Sequence, residues 1–250
     1  MIVIKSKEEI NKMRQAGKIV ADVLYKLNEL VKPGVTTEEL DCIARDYIES
    51  QGGVPTFLGY HGFPRSLCTS INEEVVHGIP SPKRLLEEGD IISVDCGVTL
   101  NGFIGDAAVT YPVGSIDKDV ERLITGTQKS LERAITAVLV DNRIGDIGHA
   151  VQSVAKEYKL GVVRDFVGHG VGRNMHEEPQ VPNFGKPGTG PRLRAGMVIA
   201  IEPMLNLGSH EVEVLDDKWT VVTKDRKWSA HFEHTIAVTE EGPEILTRYE

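Results

Sequence analysis

Apolar residues recur early in the chain at helical spacing and stop at residues that end helices. Ile10, Met13, Val20, Val23, Leu24 and Leu27 form one stripe, and Ser6-Lys7-Glu8-Glu9 ahead of it supplies a serine cap with early acids. A second stripe, Leu40, Ile43, Ala44, Tyr47 and Ile48, follows the capping box Thr36-Thr37-Glu38-Glu39 and ends at Gln51-Gly52-Gly53. The same spacing predicts a third helix after Asp117, through Val120, Leu123, Ile124, Leu131, Ile135 and Val138. A fourth opens at Asp146, with Ile147, Val151, Val154, Ala155 and Tyr158 as its stripe. Short β-branched runs predict strands at Ile91 to Val94, Val198 to Ile201, Trp219 to Thr223 and Thr235 to Val238. Helices precede strands, and they do so twice. That order predicts an α+β fold and not the alternation of a parallel α/β sheet.

The two passes look like one unit written twice. Leu40 laid on Ile147 brings Ala44 onto Val151, Tyr47 onto Val154 and Ile48 onto Ala155. Gly89 laid on Gly196 sets "GDIISVD" beside "GMVIAIE", so Asp95 matches Glu202. "IGDAAV" beside "FEHTIA" pairs Asp106 with Glu233, and His77 with Pro80 resembles His176 with Pro179. A duplicated single domain, 1–250, with halves near 1–113 and 114–250, is the expected organisation.

Composition narrows the function classes. With 250 residues, 40% hydrophobic and 26% charged, the chain suits one well-cored domain. No apolar run has the length of a membrane span, and Met1-Ile2-Val3-Ile4-Lys5 lacks a signal-peptide core. Cys42, Cys68 and Cys96 are few and widely spaced, which predicts a reducing cytoplasm and no disulfide framework. A net charge of -9 argues against nucleic-acid recognition, although a local basic patch fits inside an acidic whole.

The repeat gathers acids. Asp95 closes Ile91-Ile92-Ser93-Val94 and Glu202 closes Val198-Ile199-Ala200-Ile201, each an apolar strand. An ionised acid in such a place is costly unless something positive compensates it. If the halves pack face to face, Asp95, Asp106, Glu202 and Glu233 meet and raise one another's pKa unless cations lie among them. Too few basic residues lie nearby in sequence, whereas two hard divalent ions suit acids able to bridge. A histidine ligand would favour a transition metal. In "VGHGVGRNMHEEPQVPN" the candidates are His169, flanked by Gly168 and Gly170, and His176. Their spacing is not that of the helical H-E-x-x-H zinc motif. In "HFEHT", strand alternation points His231 and Glu233 one way and His234 the other.

Together "NEEVVHGIP", "GDIISVDCG", "GDAAVT", "GHGVGRNMHEEPQVPN", "GMVIAIEPM" and "SAHFEHTIAVT" resemble the methionine aminopeptidases of the short bacterial type I, almost from end to end. The resemblance implies the duplicated pita-bread fold. It also implies metal ligands Asp95, Asp106, His169, Glu202 and Glu233, with Asp106 and Glu233 bridging two divalent ions. Asp95 would hold one ion, and His169 with Glu202 the other. Cobalt, manganese, iron or zinc would each accept this mixed set. The implied reaction is removal of an initiator methionine followed by a small residue, with Glu202 as proton shuttle and His77 and His176 hydrogen-bonding the substrate. His231 is expected to line the pocket, His234 to support from outside the ligand set, and loop carbonyls near Asn72 and Ser229 to hold a monovalent cation.

An apolar pocket of thioether size is needed, and "FLGYHGFPRSLC" offers Phe57, Tyr60, His61, Phe63 and Cys68, with Trp219 as another wall and Met175 shaping its detail. The expected state is a monomer that meets the ribosome transiently, through Lys218, Lys224, Arg226 and Lys227 of "KWTVVTKDRKW". A prolidase would share fold and ligands but carry an extra N-terminal domain. An inactive peptide-binding module would normally have lost ligands, and a two-metal phosphoesterase would want basic groups at the site.

Overall fold

Three of the four helices start where their caps prescribe. The computed structural model describes residues 1–248, and α1 (Lys7–Leu30) and α2 (Thr37–Ser50) both open on a complete capping box. Ser6 Oγ accepts the Glu9 N–H at 3.2 Å while the Glu9 carboxylate accepts the Ser6 N–H at 3.0 Å; Thr36 and Glu39 repeat the exchange. Such a cap contributes about 0.5–2 kcal/mol. Asp117 caps α3 (Lys118–Thr136) by accepting from the amides of Asp119 and Val120. The fourth helix corrects the expectation. α4 (Ile144–Glu157) already contains Asp146 in its first turn, where the carboxylate accepts the Arg143 N–H at 2.7 Å. The acid that reads as a cap is the reciprocal partner inside the helix, and the boundary residue is an arginine.

The strands run longer than their β-branched segments. β1 (Leu67–Ile71) and β2 (Ile91–Leu100) are followed by β3 (Phe103–Pro112), with Asn101 and Gly102 turning the chain at φ 52° and 75°, the left-handed pair of a tight hairpin. β4 (Gly168–Gly170), β5 (Glu177–Val181), β6 (Val198–Ile201) and β7 (Glu233–Thr239) complete the main sheet. The strand expected from Trp219 begins only at Val221, because the Asp217 carboxylate takes the amides of Trp219 and Thr220 at 2.9 and 2.8 Å.

The spatial order is Val54–Pro55, β2, β3, β7, β6, β4, β5, antiparallel throughout, with β1 also on β2 and Gly242–Ile245 on β7. Read outward from the central β3–β7 pair, β2 and β1 on one side mirror β6 and β4 on the other. This is the two-fold arrangement of the pita-bread fold. Period-2 alternation then separates two faces. Ile92, Val94, Cys96 and Val98 of β2 join α1 and α2 in one core, while Ile199, Ile201, Ile236 and Val238 join α3 and α4 in another. Each fully buried aliphatic side chain there stabilises by roughly 1.5–3 kcal/mol. α1 lies directly on β3, since a Cβ on Gly105 would come within 2.6 Å of Gly17 N. The opposite face carries the acids.

Strand register corrects one detail of the repeat. Asp95 faces Ala108 across β2–β3. The β6–β7 pairing, continued one step past Ile201 and His234, sets Glu202 opposite Glu233. With Asp95 laid on Glu202, Ala108 therefore falls on Glu233, and Asp106 falls on His231, not on Glu233. The offset is silent in the sequence because two residues make one full strand period, so every side chain keeps its face.

Candidate metal centre and substrate pocket

One row across three strands brings the first two carboxylates together. Ala108 of β3 lies between Asp95 of β2 and Glu233 of β7, paired with both. Strands are spaced by roughly 4.8 Å, and a methyl group in the middle leaves room above it for two acids to converge. Asp106 stands two residues earlier on the same face of β3. Thr235 fixes its backbone: the threonine hydroxyl accepts the Asp106 N–H at 3.0 Å and donates to the Asp106 carbonyl at 2.8 Å.

His169 arrives from the other half on β4, where Gly168 and Gly170 leave no space for side chains. A Cβ on Gly168 would meet Ala200 O at 2.3 Å, and one on Gly170 would meet Glu178 O at 2.3 Å. His169 Nδ1 lies 2.9 Å from Gly170 O. A carbonyl only accepts, so Nδ1 carries the proton and Nε2 presents its lone pair. Nε2 is 3.7 Å from Asp106 Oδ2 and 3.6 Å from Glu202 Oε1. One ligand atom each from Asp106, His169 and Glu233 lies within 4.8 Å of the others.

Among the described residues, no lysine or arginine pairs with these acids, whose only ion-pair contacts are to His169 and His231. Asp95 Oδ1, Asp106 Oδ1 and Glu233 Oε1 are buried without a hydrogen-bond partner among the described residues. Burial raises the Asp95 carboxyl to about 7. Burial first, and repulsion by the neighbouring carboxylates second, push Asp106, Glu202 and Glu233 well above the usual range. Burial also lowers His77 and His169 to about 4 and His231 to about 3, so all three are neutral near pH 7. Orphaned carboxylate oxygens beside a neutral imidazole lone pair fit divalent cations, and the mixed O and N donors fit a transition metal.

The centre is the floor of a cavity of about 290 Å³, and all five expected ligands line it. Its walls include Phe57, Tyr60, His61, Phe63, Cys68, Met175 and Trp219, all expected of the substrate pocket, with His77 and His176 among them. Trp219 packs edge-on against Phe63, ring centroids 5.1 Å apart. Tyr60 Oη lies 2.7 Å from His176 Nδ1, which directs the other ring nitrogen away from the tyrosine. His77 is held at φ 62°, a left-handed conformation costly for a residue with a side chain, as recurs where function fixes geometry. Phe166, whose ring meets His77 edge-on at 5.7 Å, also lines the cavity. Its only sequence signal is a bulky apolar residue three positions before His169.

Two histidines of the "HFEHT" segment are sorted by the structure. His234 Nδ1 contacts Thr247 Oγ1 at 2.9 Å, a supporting position. His231, expected to line the pocket, does not: it is 2% exposed and lies behind the carboxylates, with Nε2 3.9 Å from Glu202 Oε2 and 3.8 Å from Glu233 Oε2.

Residues 11–240 match metallopeptidase family M24. Over 247 residues the chain is 53% identical to a methionine aminopeptidase of Clostridium acetobutylicum, covering 99% of each. The crystal structure of a methionine aminopeptidase from Thermotoga maritima superposes with a TM-score of 0.98 at 46% identity, covering 100% of both chains. A prolidase from Pyrococcus furiosus shares the fold alone, at 23% identity and a TM-score of 0.77, with 99% of this chain matching 66% of that one. The chain belongs to metallopeptidase family M24, within its methionine aminopeptidase branch.

Proposed function

We propose that the chain removes an N-terminal methionine from nascent proteins and peptides whose second residue is small. One observation carries the reading: four carboxylates, three of them with a buried oxygen that has no hydrogen-bond partner among the described residues, form the floor of an apolar cavity of about 290 Å³. Asp95, Asp106, His169, Glu202 and Glu233 would hold two divalent ions, Asp106 and Glu233 being the acids that the resemblance implies are shared; cobalt, manganese, iron or zinc would suit the set. When bound, the ions supply a water acidic enough to ionise near neutral pH.

The chain's own groups do the rest. Phe57, Phe63 and Trp219 receive the thioether side chain and exclude water. Glu202 takes the proton of the attacking water and returns it to the leaving amine. His77 and His176 hydrogen-bond the scissile amide and its developing oxyanion, the Tyr60 hydroxyl holding the His176 ring in place. Both halves of the chain supply ligands, so they work as a single catalytic domain. The amide of Ser229 donates to Asn72 O at 2.8 Å, which brings together the two segments of the expected monovalent-cation site.

The place of work follows from the substrate. No described helix is long and apolar enough to cross a membrane. A cytoplasmic monomer meeting ribosomes through Lys218, Lys224, Arg226 and Lys227 fits a nascent-chain substrate, because Trp219 beside them lines the cavity. Two of these charges are shared with acids, Arg226 NH2 with Glu213 and Lys224 Nζ with Glu211 at 3.9 Å. Reversal of all four weakens ribosome binding at low salt while free-tripeptide cleavage is retained; unchanged binding removes the patch from the account. The central test is release of methionine from Met-Ala-Ser by protein purified without added metal, with the bound element measured. No release of methionine at any metal loading, or cleavage of Xaa-Pro peptides in preference, overturns the assignment.

A further inference from the structure

His231 Nε2 is the only histidine nitrogen among the described residues that is shut from solvent and lacks a hydrogen-bond partner. Its backbone is fixed as firmly as that of Asp106. The Thr110 hydroxyl accepts the His231 N–H at 2.9 Å and donates to the His231 carbonyl at 2.8 Å, as Thr235 does for Asp106. The two braces are related by the two-fold of the β3–β7 pair, and the register sets His231 where the first half has Asp106. His231 ends the short strand Ser229–His231 just before β7, and its side chain reaches the acids without lining the cavity.

We propose that His231 is a positioning residue for Glu202 and Glu233, donating from Nε2–H to their outer oxygens. The proposal rests on the ligand reading above. The oxygens of Glu202 are already divided in this way. Oε1 faces His169 Nε2 at 3.6 Å and Oε2 faces His231 Nε2 at 3.9 Å. A lone pair directed at two carboxylate oxygens would repel both, so the Nε2–H tautomer is the one this location favours. At 3.8 and 3.9 Å the contacts are about 1 Å beyond a charge-assisted hydrogen bond. A small rotation of either carboxylate onto the ions closes that gap, which ties the outer hydrogen bond to metal binding. Direct ligation by His231 fits less well, because the ring does not line the cavity.

The test compares the holoenzyme with His231→Leu, which removes the donor, and His231→Gln, which restores an N–H. Outer partners of metal ligands are worth about 10–100-fold. His231→Leu should lose affinity for metal in equilibrium dialysis by that factor, and kcat on Met-Ala-Ser should fall likewise with KM little changed. His231→Gln should recover most of both. Parental metal affinity and kcat in the Leu variant overturn the proposal, and so does a Gln variant as impaired as Leu. Loss of one metal equivalent from both variants at saturation also overturns it, by making His231 a ligand. A measurement on the unaltered protein covers a variant that does not fold. In the zinc-loaded parent, ¹⁵N NMR should show a proton on His231 Nε2, and a bare nitrogen there refutes the role. Failure of the parent itself to bind metal or release methionine would count instead against the functional reading.

Discussion

Lys5 Nζ lies 2.7 Å from Glu177 Oε2, and both side chains are buried although 172 positions separate them. Glu177 follows His176, and its other oxygen accepts the amides of Arg173 and Asn174 at 3.0 and 3.2 Å. The Lys5 amide meanwhile donates to Gly196 O at 2.7 Å. The segment before α1 thus fastens the loop that carries Met175 and His176 into the cavity wall. Lys5→Met removes the charged donor of the part-buried Glu177 carboxylate, which keeps its two amide donors; a hydrogen bond to a charged group contributes about 1.5–3 kcal/mol. The expected outcome is a lower Tm together with a raised KM or reduced kcat on Met-Ala-Ser, while metal content stays near that of the parent. Parental kinetics and Tm would show that the loop holds its shape unaided.

Asp106→Asn and Glu233→Gln each remove a carboxylate charge from the proposed bridge between the ions. Turnover on Met-Ala-Ser should be abolished in both after excess metal is restored, and metal stoichiometry should fall. Near-normal rates in either variant would mean that the bridging assignment is wrong. His77→Ala and His176→Ala form the contrast: turnover falls with metal content unchanged, because neither ring is within the proposed ligand set.

Much of this was legible in the chain, and the exceptions have physical causes. The stripes and capping boxes of α1 and α2 announce those helices, since a cap satisfies amides that the helix leaves open. The four acids stand out because each closes or enters an apolar strand. The register of the repeat was not legible, as Asp106 and His231 differ in type and a two-residue slip leaves the pattern of faces intact. Nor was the length of β2, where Asp95, Cys96 and Gly97 interrupt the β-branched run yet stay in the ladder with β3. Lys5 and Glu177 are each an ordinary charge in sequence. Only the folded chain makes them a buried pair.

Glu202→Gln keeps the size of the side chain and removes its ability to carry a proton. If Glu202 is the shuttle, kcat should fall by about 10²–10⁴-fold while KM changes far less. Metal occupancy measured in the same samples separates this from loss of an ion. A defect confined to KM would assign Glu202 to binding alone.

Removing the metal should make stability fall as pH rises through mild alkali. In the metal-free protein, burial holds the Asp95 carboxyl at about 7 and those of Asp106, Glu202 and Glu233 well above their ordinary values. A carboxyl whose folded pKa is raised binds more protons folded than unfolded between the two values, so its stabilising effect is lost as pH rises through the folded pKa. The buried histidines act oppositely but lower down: with folded values depressed to about 4 or 3, they favour the folded state as pH rises toward 6.5, and their slope fades above it. Between pH 7 and 8 the carboxylates therefore dominate, with most unfolded histidine already neutral and most unfolded cysteine still protonated. Each extra proton held by the folded state costs about 1.4 kcal/mol of stability per pH unit there. Denaturant unfolding of the metal-free protein should accordingly show stability falling from pH 7 to 8. Saturating divalent metal should abolish the slope, because carboxylates that hold cations are ionised throughout. A metal-free protein whose stability is flat or rising over this interval would mean that the acids are solvated individually, and that they form no centre of their own.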